Sequence, residues 1–224
     1  MRIPYEAQTP LGREFIEIAP EVVAAILLTL VAGWRQACDF SDVNAQAGEV
    51  PMTERLRDGM RSQLKSKGHP WGKMLMVLPG TESRSRPEAV TPDGRTDIPL
   101  VLIEVFVRTQ EHDPHAIIEC KRISGSDTHL CREYVVEGID RFSTGKYGQN
   151  HAVGFMVGYV LVGTAGQAAD GVNAYLTRVS RKADHLELVD ACEGIPSWGS
   201  QHARPAPSSP IRLHHAFLSV DARG

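Results

Sequence analysis

"HAIIECKRI", residues 115–123, sets a glutamate, a cysteine, a lysine and an arginine in a row within an otherwise apolar, strand-forming run. Side chains alternate along a strand, so Glu119 and Lys121 share one face while Cys120 points to the other. Burying such charges without partners costs roughly several kcal/mol each, so in a strand they either face solvent or serve a purpose. Immediately upstream, "DIPLVLIEVFV" (97–107) reads as a long strand opened by Asp97, and the polar stretch "RTQEHDPH" (108–115) reads as a turn. Two strands joined in this way form an antiparallel hairpin, which presents Asp97 and Glu119 from neighbouring strands.

Working outward, "KMLMVLP" (73–79) reads as a strand, and "GTESRSRPEAVTPDGRT" (80–96), rich in Gly, Pro, Ser and Arg, as a loop. Apolar spacing predicts helices from Pro20 to Trp34 and from Met52 to Lys67, the second capped by Thr53. Beyond the hairpin, "DTHLCREYVVEGIDRF" (127–142) has helical spacing, and the uncharged run "AVGFMVGYVLVG" (152–163) fits a central strand covered on both faces. A helix over 164–183, a short strand over 185–190, a loop over 204–210 and a closing strand over 211–220 complete the reading. The expected class is α/β, a central mixed sheet flanked by helices. The expected organisation is one domain, 1–224: a helical extension (1–50), a core (51–163), and a C-terminal helix with strands (164–224).

With 224 residues, 42% hydrophobic and 23% charged, the chain can bury one sizeable core. A net charge of −3 and a pI near 6.3 exclude a general electrostatic pull toward nucleic acid, so any polyanion contact must be local. Arginine outnumbers lysine 18 to 6, and arginine is the better bidentate phosphate ligand, although high genomic GC content produces the same bias. Cys38, Cys120, Cys131 and Cys192 are irregularly spaced, which indicates neither a disulfide framework nor a zinc ribbon and fits a reducing cytoplasm. "VVAAILLTLVAG" (22–33) is too short to span a bilayer, and Glu14, Glu17 and Glu21 before it do not suit a signal peptide. No membrane association is expected. A helix so apolar must be buried under its own domain or against a second chain.

An aspartate and a glutamate on adjacent strands suit one or two hard cations, which oxygen ligands hold as magnesium prefers. A lysine beside them can orient or deprotonate a water. These are parts for phosphodiester hydrolysis. Glu119-Cys120-Lys121 is the chain's only acidic-x-Lys tripeptide. "GRTDIPLVL" followed by "HAIIECKRI", in the order helix, three strands, helix, strand, resembles the PD-(D/E)XK nuclease superfamily with its restriction-endonuclease-like core. The resemblance covers roughly residues 50–163, with Thr96-Asp97 where the family name has Pro-Asp. "YVVEGIDRFSTGKYGQNHAVGFMVGYVLVG" and "SQHARPAPSSPIRLHHAFL" also look like nuclease-related proteins of bacterial defence loci.

The resemblance implies Asp97 and Glu119 as metal ligands, the Cys120 carbonyl as a third, Glu54 as an additional carboxylate, and Lys121 on the attacking water. It implies Mg2+, with Mn2+ as substitute, and a nucleic-acid substrate, DNA favoured. Phosphate contacts are expected from Arg95, Arg122, Arg141, Lys146 and Tyr147. Cutting both strands of a duplex calls for two active sites, hence a homodimer, and so short a chain without a specificity module suggests a targeting partner. The different class kept open is a nuclease-like protein that binds nucleic acid or a partner without cleaving. "HDPH" (112–115) lacks a second pair of zinc-ligand spacing, "GTAGQAADG" (163–171) lacks a phosphate-loop lysine, and no GxSxG is present, so His202, His214 and His215 read as core or surface residues.

Overall fold

Pro20, whose missing N–H is no loss in a first turn, opens α1 (Pro20–Ala37) in a computed structural model that describes residues 16–83, 94–205 and 208–221. The expected extension 1–50, the loops 80–96 and 204–210, and Glu14 therefore lie partly or wholly outside the described residues. α1 packs along α2 (Glu49–Lys65), and the two helices meet at Gly33 and Gly59. A Cβ added at Gly59 would stand 2.2 Å from the Gly33 carbonyl oxygen, so this backbone contact requires glycine.

α2 starts earlier than its sequence suggests. Thr53 is no cap; it is buried inside the helix and accepts a hydrogen bond from the Tyr159 hydroxyl at 3.2 Å. Gly48 precedes the first helical residue, Glu49, and Pro51 is accommodated in the opening turn.

Next come β1 (Leu75–Val77), a small antiparallel pair of β2 (Glu82–Ser83) and β3 (Gly94–Arg95), and β4 (Ile98–Leu102). The expected strand over 97–107 breaks at Ile103, where α3 (Ile103–Thr109) begins. β1 pairs only as far as Leu75↔Leu102, so no ladder is left to hold residues 103–107 extended. β5 (Ala116–Ser124) then runs antiparallel to β4 as expected, although a helix rather than a turn connects them.

The predicted helix over 127–142 is α4 (Thr128–Tyr134), a π-helical stretch at Val135–Ile139, and α5 (Asp140–Ser143), with Asp127 as N-cap. β6 (Val153–Val162) and α6 (Ala165–Arg178) follow, the latter opened by a capping box of Thr164 and Gln167. That box accounts for "GTAGQAADG" as a strand-to-helix turn. β7 (Glu187–Val189), β8 (Ser197–His202) and β9 (Ile211–Ser219) end the described chain; β8 has no counterpart among the elements expected from sequence.

The result is an α/β protein with a seven-stranded mixed sheet, ordered β1-β4-β5-β6-β9-β8-β7. β5, β6 and β9 run parallel, and the flanking pairs are antiparallel. Ile118, Cys120, Phe155, Val157, Ala216 and Leu218 pack under α1 and α2. Ile117, Ile123, Met156, Val160, Leu213 and Phe217 pack under α4 to α6, so helices cover both faces. The apolar α1 is buried within its own chain: Trp34 stacks on Tyr159 at 4.8 Å and donates to the Ser219 carbonyl. All four cysteines are buried thiols. Among the described residues no helix is long and apolar enough to cross a membrane.

Candidate active site

The register Ile98↔Ile118, continued by one residue, sets Asp97 opposite Glu119. Past that point β5 has no partner on the β4 side, and its next inward N–H groups need acceptors. Carboxylates supply them. Asp97 Oδ2 accepts from the Cys120 N–H at 2.8 Å, and Glu49 Oε2 accepts from the Arg122 N–H at 3.3 Å. The frayed edge of β5 is thus what gathers acidic side chains at one place.

Lys121 completes the cluster. Its ammonium donates to Glu119 Oε1 at 2.8 Å, Glu49 Oε1 at 2.9 Å and the Cys120 carbonyl at 2.8 Å, which uses all three of its protons. Burial opposes the charge on Lys121, but Glu119, Glu49 and Asp97 outweigh it and raise its pKa. In this arrangement Lys121 acts as an ammonium donor to three oxygens. Glu119 is fully buried; burial first, then the charge of Asp97, push its carboxyl up to about 8 against the pull of Lys121 and Arg141. Burial also raises Asp97, partly offset by Lys121 and the Cys120 N–H.

Glu119 uses its two oxygens unequally. Oε1 takes Lys121 and also Arg141 Nη1 at 3.0 Å, whereas Oε2 is buried and has no hydrogen-bond partner among the described residues. Such an orphan is costly, about 1–3 kcal/mol, and a cation that displaces the carboxyl proton would relieve it. The donor set fits a hard divalent metal in this respect: bare carboxylate oxygen at Glu119 with the Asp97 carboxylate across the ladder. Among the described residues no three His, Cys, Asp or Glu side chains already converge as a metal cluster.

Of the residues expected here, Asp97, Glu119 and Lys121 come together and Arg141 joins them. Glu54 does not: it is exposed on α2, and the helix brings Glu49 instead. Five residues of helix turn through about 500°, which leaves the two on different sides. The Cys120 carbonyl is occupied by Lys121. Tyr147 has a buried ring. Arg95 is exposed and donates to the Gly80 carbonyl; Arg122 lies at Ala47; Lys146 folds over Gly94. A cleft of about 520 Å³ opens beside Lys121, with Arg122 and Arg141 facing Glu49, Glu133 and Glu137, so its charges balance and it is no basic groove.

Two of the three histidines expected as core or surface residues, His202 and His215, form a buried relay on the far half of the sheet. Asp184 Oδ1 lies 3.1 Å from His202 Nδ1, His202 Nε2 2.6 Å from Ser200 Oγ, Ser200 Oγ 2.7 Å from His215 Nε2, and His215 Nδ1 2.9 Å from the Tyr134 hydroxyl. One placement of hydrogens satisfies all four, each group donating toward Asp184. The order Ser, His, Asp resembles a hydrolytic triad, but Ser200 is buried and its oxygen already accepts from His215, so the relay is structural. In "HDPH", His115 is buried and accepts from the Leu102 N–H, while His112 is exposed.

Comparison with protein-family models, with curated proteins and with solved structures gives no match. Fold and site together define the class: an α/β protein whose mixed sheet carries a buried carboxylate–lysine–arginine cluster where two strands part.

Proposed function

We propose that this protein is a metal-dependent nuclease on a restriction-endonuclease-like core, hydrolysing phosphodiester bonds, DNA favoured, with Mg2+ or Mn2+. The observation that carries the reading is the bare, buried Glu119 Oε2 in a cluster with Asp97 and Lys121 on neighbouring strands. The order α2, β1, β4, β5, α4, β6, with β1, β4, β5 and β6 adjacent in the sheet, supports it as well.

Asp97 and Glu119 would hold the metal, with Glu49 beside them through Lys121. The chemistry such a metal would supply is Lewis-acid polarisation of a water and the scissile phosphate. Lys121, held charged, would orient that water and neutralise developing negative charge, the proton released from the water passing to bulk solvent through the cleft. Arg141 stands next to Glu119 with a guanidinium suited to a phosphate oxygen. A homodimer, a targeting partner, a cytoplasmic setting and a role in defence against phage belong to the same proposal.

Incubation with plasmid, linear duplex, single-stranded DNA and RNA, each with Mg2+ or Mn2+, tests it. Cleavage is expected only with metal, abolished by EDTA and in Glu119→Ala; activity surviving in that variant rejects the site. One observation favours a second reading, a nuclease-like protein that binds without cleaving: Arg141 and Lys121 already place positive charge on Glu119. That reading expects nucleic-acid binding that EDTA leaves unchanged and no product with any substrate.

A further inference from the structure

Tyr147 has no part in the chemistry above, yet two short hydrogen bonds meet at its hydroxyl. Arg141 Nη1 donates to it at 2.6 Å, and it donates to the Arg95 carbonyl at 2.6 Å. The same Nη1 spends its other hydrogen on Glu119 Oε1 at 3.0 Å, and among the described residues the remaining guanidinium groups are weakly held: Nη2 reaches Glu137 at 3.5 Å, and Nε is buried without a partner. The ring is fully buried, edge-on to Phe142 at 5.8 Å. On the other side it abuts β3, where a Cβ on Gly94 would sit 3.4 Å from the hydroxyl.

We infer that Tyr147 is a positioning residue whose hydroxyl sets Arg141 against Glu119 and anchors the backbone at Arg95, two residues before Asp97. Both proposed metal carboxylates are then registered to one phenol, Glu119 through a guanidinium and Asp97 through its own strand. A direct phosphate contact is the competing role. It would require the hydroxyl to give up the Arg95 carbonyl or the Arg141 N–H, both at close range, from within a buried ring. Simple packing is the other competitor, and the hydroxyl distinguishes it, because packing needs only the ring. The catalytic meaning rests on the nuclease reading; the geometry does not.

Tyr147→Phe keeps the ring and removes the hydroxyl, with Phe142→Leu as a control that loosens packing without touching a hydrogen bond. Two measurements on the full chain decide: Mn2+ affinity by electron paramagnetic resonance without nucleic acid, and side-chain Nε–Hε NMR of Arg141, assigned with Arg141→Lys. Tyr147→Phe should lose about tenfold in Mn2+ affinity, the order seen when a group behind a metal ligand is removed. Its Arg141 signal should shift and exchange faster, while Phe142→Leu lowers Tm and leaves both readings near wild type. Unchanged Mn2+ affinity in Tyr147→Phe, or an equal loss in Phe142→Leu, overturns the inference. Should the wild type itself take up no Mn2+, the nuclease reading fails; an Arg141 signal unaltered by Tyr147→Phe then overturns the positioning role, and an altered one upholds it.

Discussion

Glu119 places its carboxylate where charge is disfavoured, and this has a measurable sign. In the metal-free protein its carboxyl is raised to about 8 by burial and by Asp97, from an ordinary value of 4.5. Between those values the folded chain keeps a proton that the unfolded chain has released, so Glu119 reduces stability progressively as pH rises from about 4.5 to about 8. Glu119→Gln cannot ionise. Its stability relative to wild type, from denaturant unfolding in EDTA, should therefore grow from pH 5 to pH 8.5 by on the order of 1–3 kcal/mol. An equal difference at both pH values rejects the ionisation. A second pair of substitutions separates the two helix carboxylates. Glu49→Ala strips Lys121 of one acceptor and should reduce cleavage by about tenfold or more, whereas Glu54→Ala, at an exposed position, should stay within about 0.5 kcal/mol in stability and near wild type in activity. Loss of activity in Glu54→Ala with Glu49→Ala unaffected would reverse the assignment.

Elements decide which residues become neighbours, and here sequence was readable only in part. Asp97, Glu119 and Lys121 could be associated because strand alternation and an antiparallel register are local rules. Glu49 could not, because its place depends on where α2 begins and on how α2 lies against α1. Thr53 carries a strong capping preference that tertiary packing overrode by burying it against Tyr159. The apolar run 103–107 has strand propensity but no ladder partner, and it coils into α3 with Val107 exposed. The α1–α2 contact is the element on which Glu49 depends. Gly59→Ala should raise helix propensity by about 1 kcal/mol, yet the added methyl collides with the Gly33 carbonyl, so net destabilisation of about 1–3 kcal/mol is expected. If α2 shifts to relieve the collision, Mn2+ affinity should fall as well; a variant as stable as wild type, seen in its thermal midpoint, would show that the helices part easily.

Across the whole molecule the proposed site and the buried histidines respond to pH in opposite directions. Burial lowers His202 and His215, and it lowers His214 to about 4. Such bases contribute stability that is present above about 6.5 and lost as pH falls toward the folded value, because the unfolded chain then binds more protons. His214→Phe keeps a ring against Phe155 and should flatten the decline between pH 6.5 and 4.5 by on the order of 1–3 kcal/mol relative to wild type. A parallel decline in both proteins would show that His214 is accessible to protons when folded.

The sheet order also bears on how the protein is made. β9, the last strand among the described residues, lies between β6 and β8. While the chain emerges from a ribosome, β5 can already pair with β4 and β6, yet the outer edge of β6 stays bare until residues 211–219 appear. The β7–β8 hairpin waits beside it with nothing to dock on. A chain that lacks residues 211–219 exposes an apolar strand edge of the kind that recruits chaperones or neighbouring chains, so truncation before position 211 should shift the product from soluble protein to aggregate.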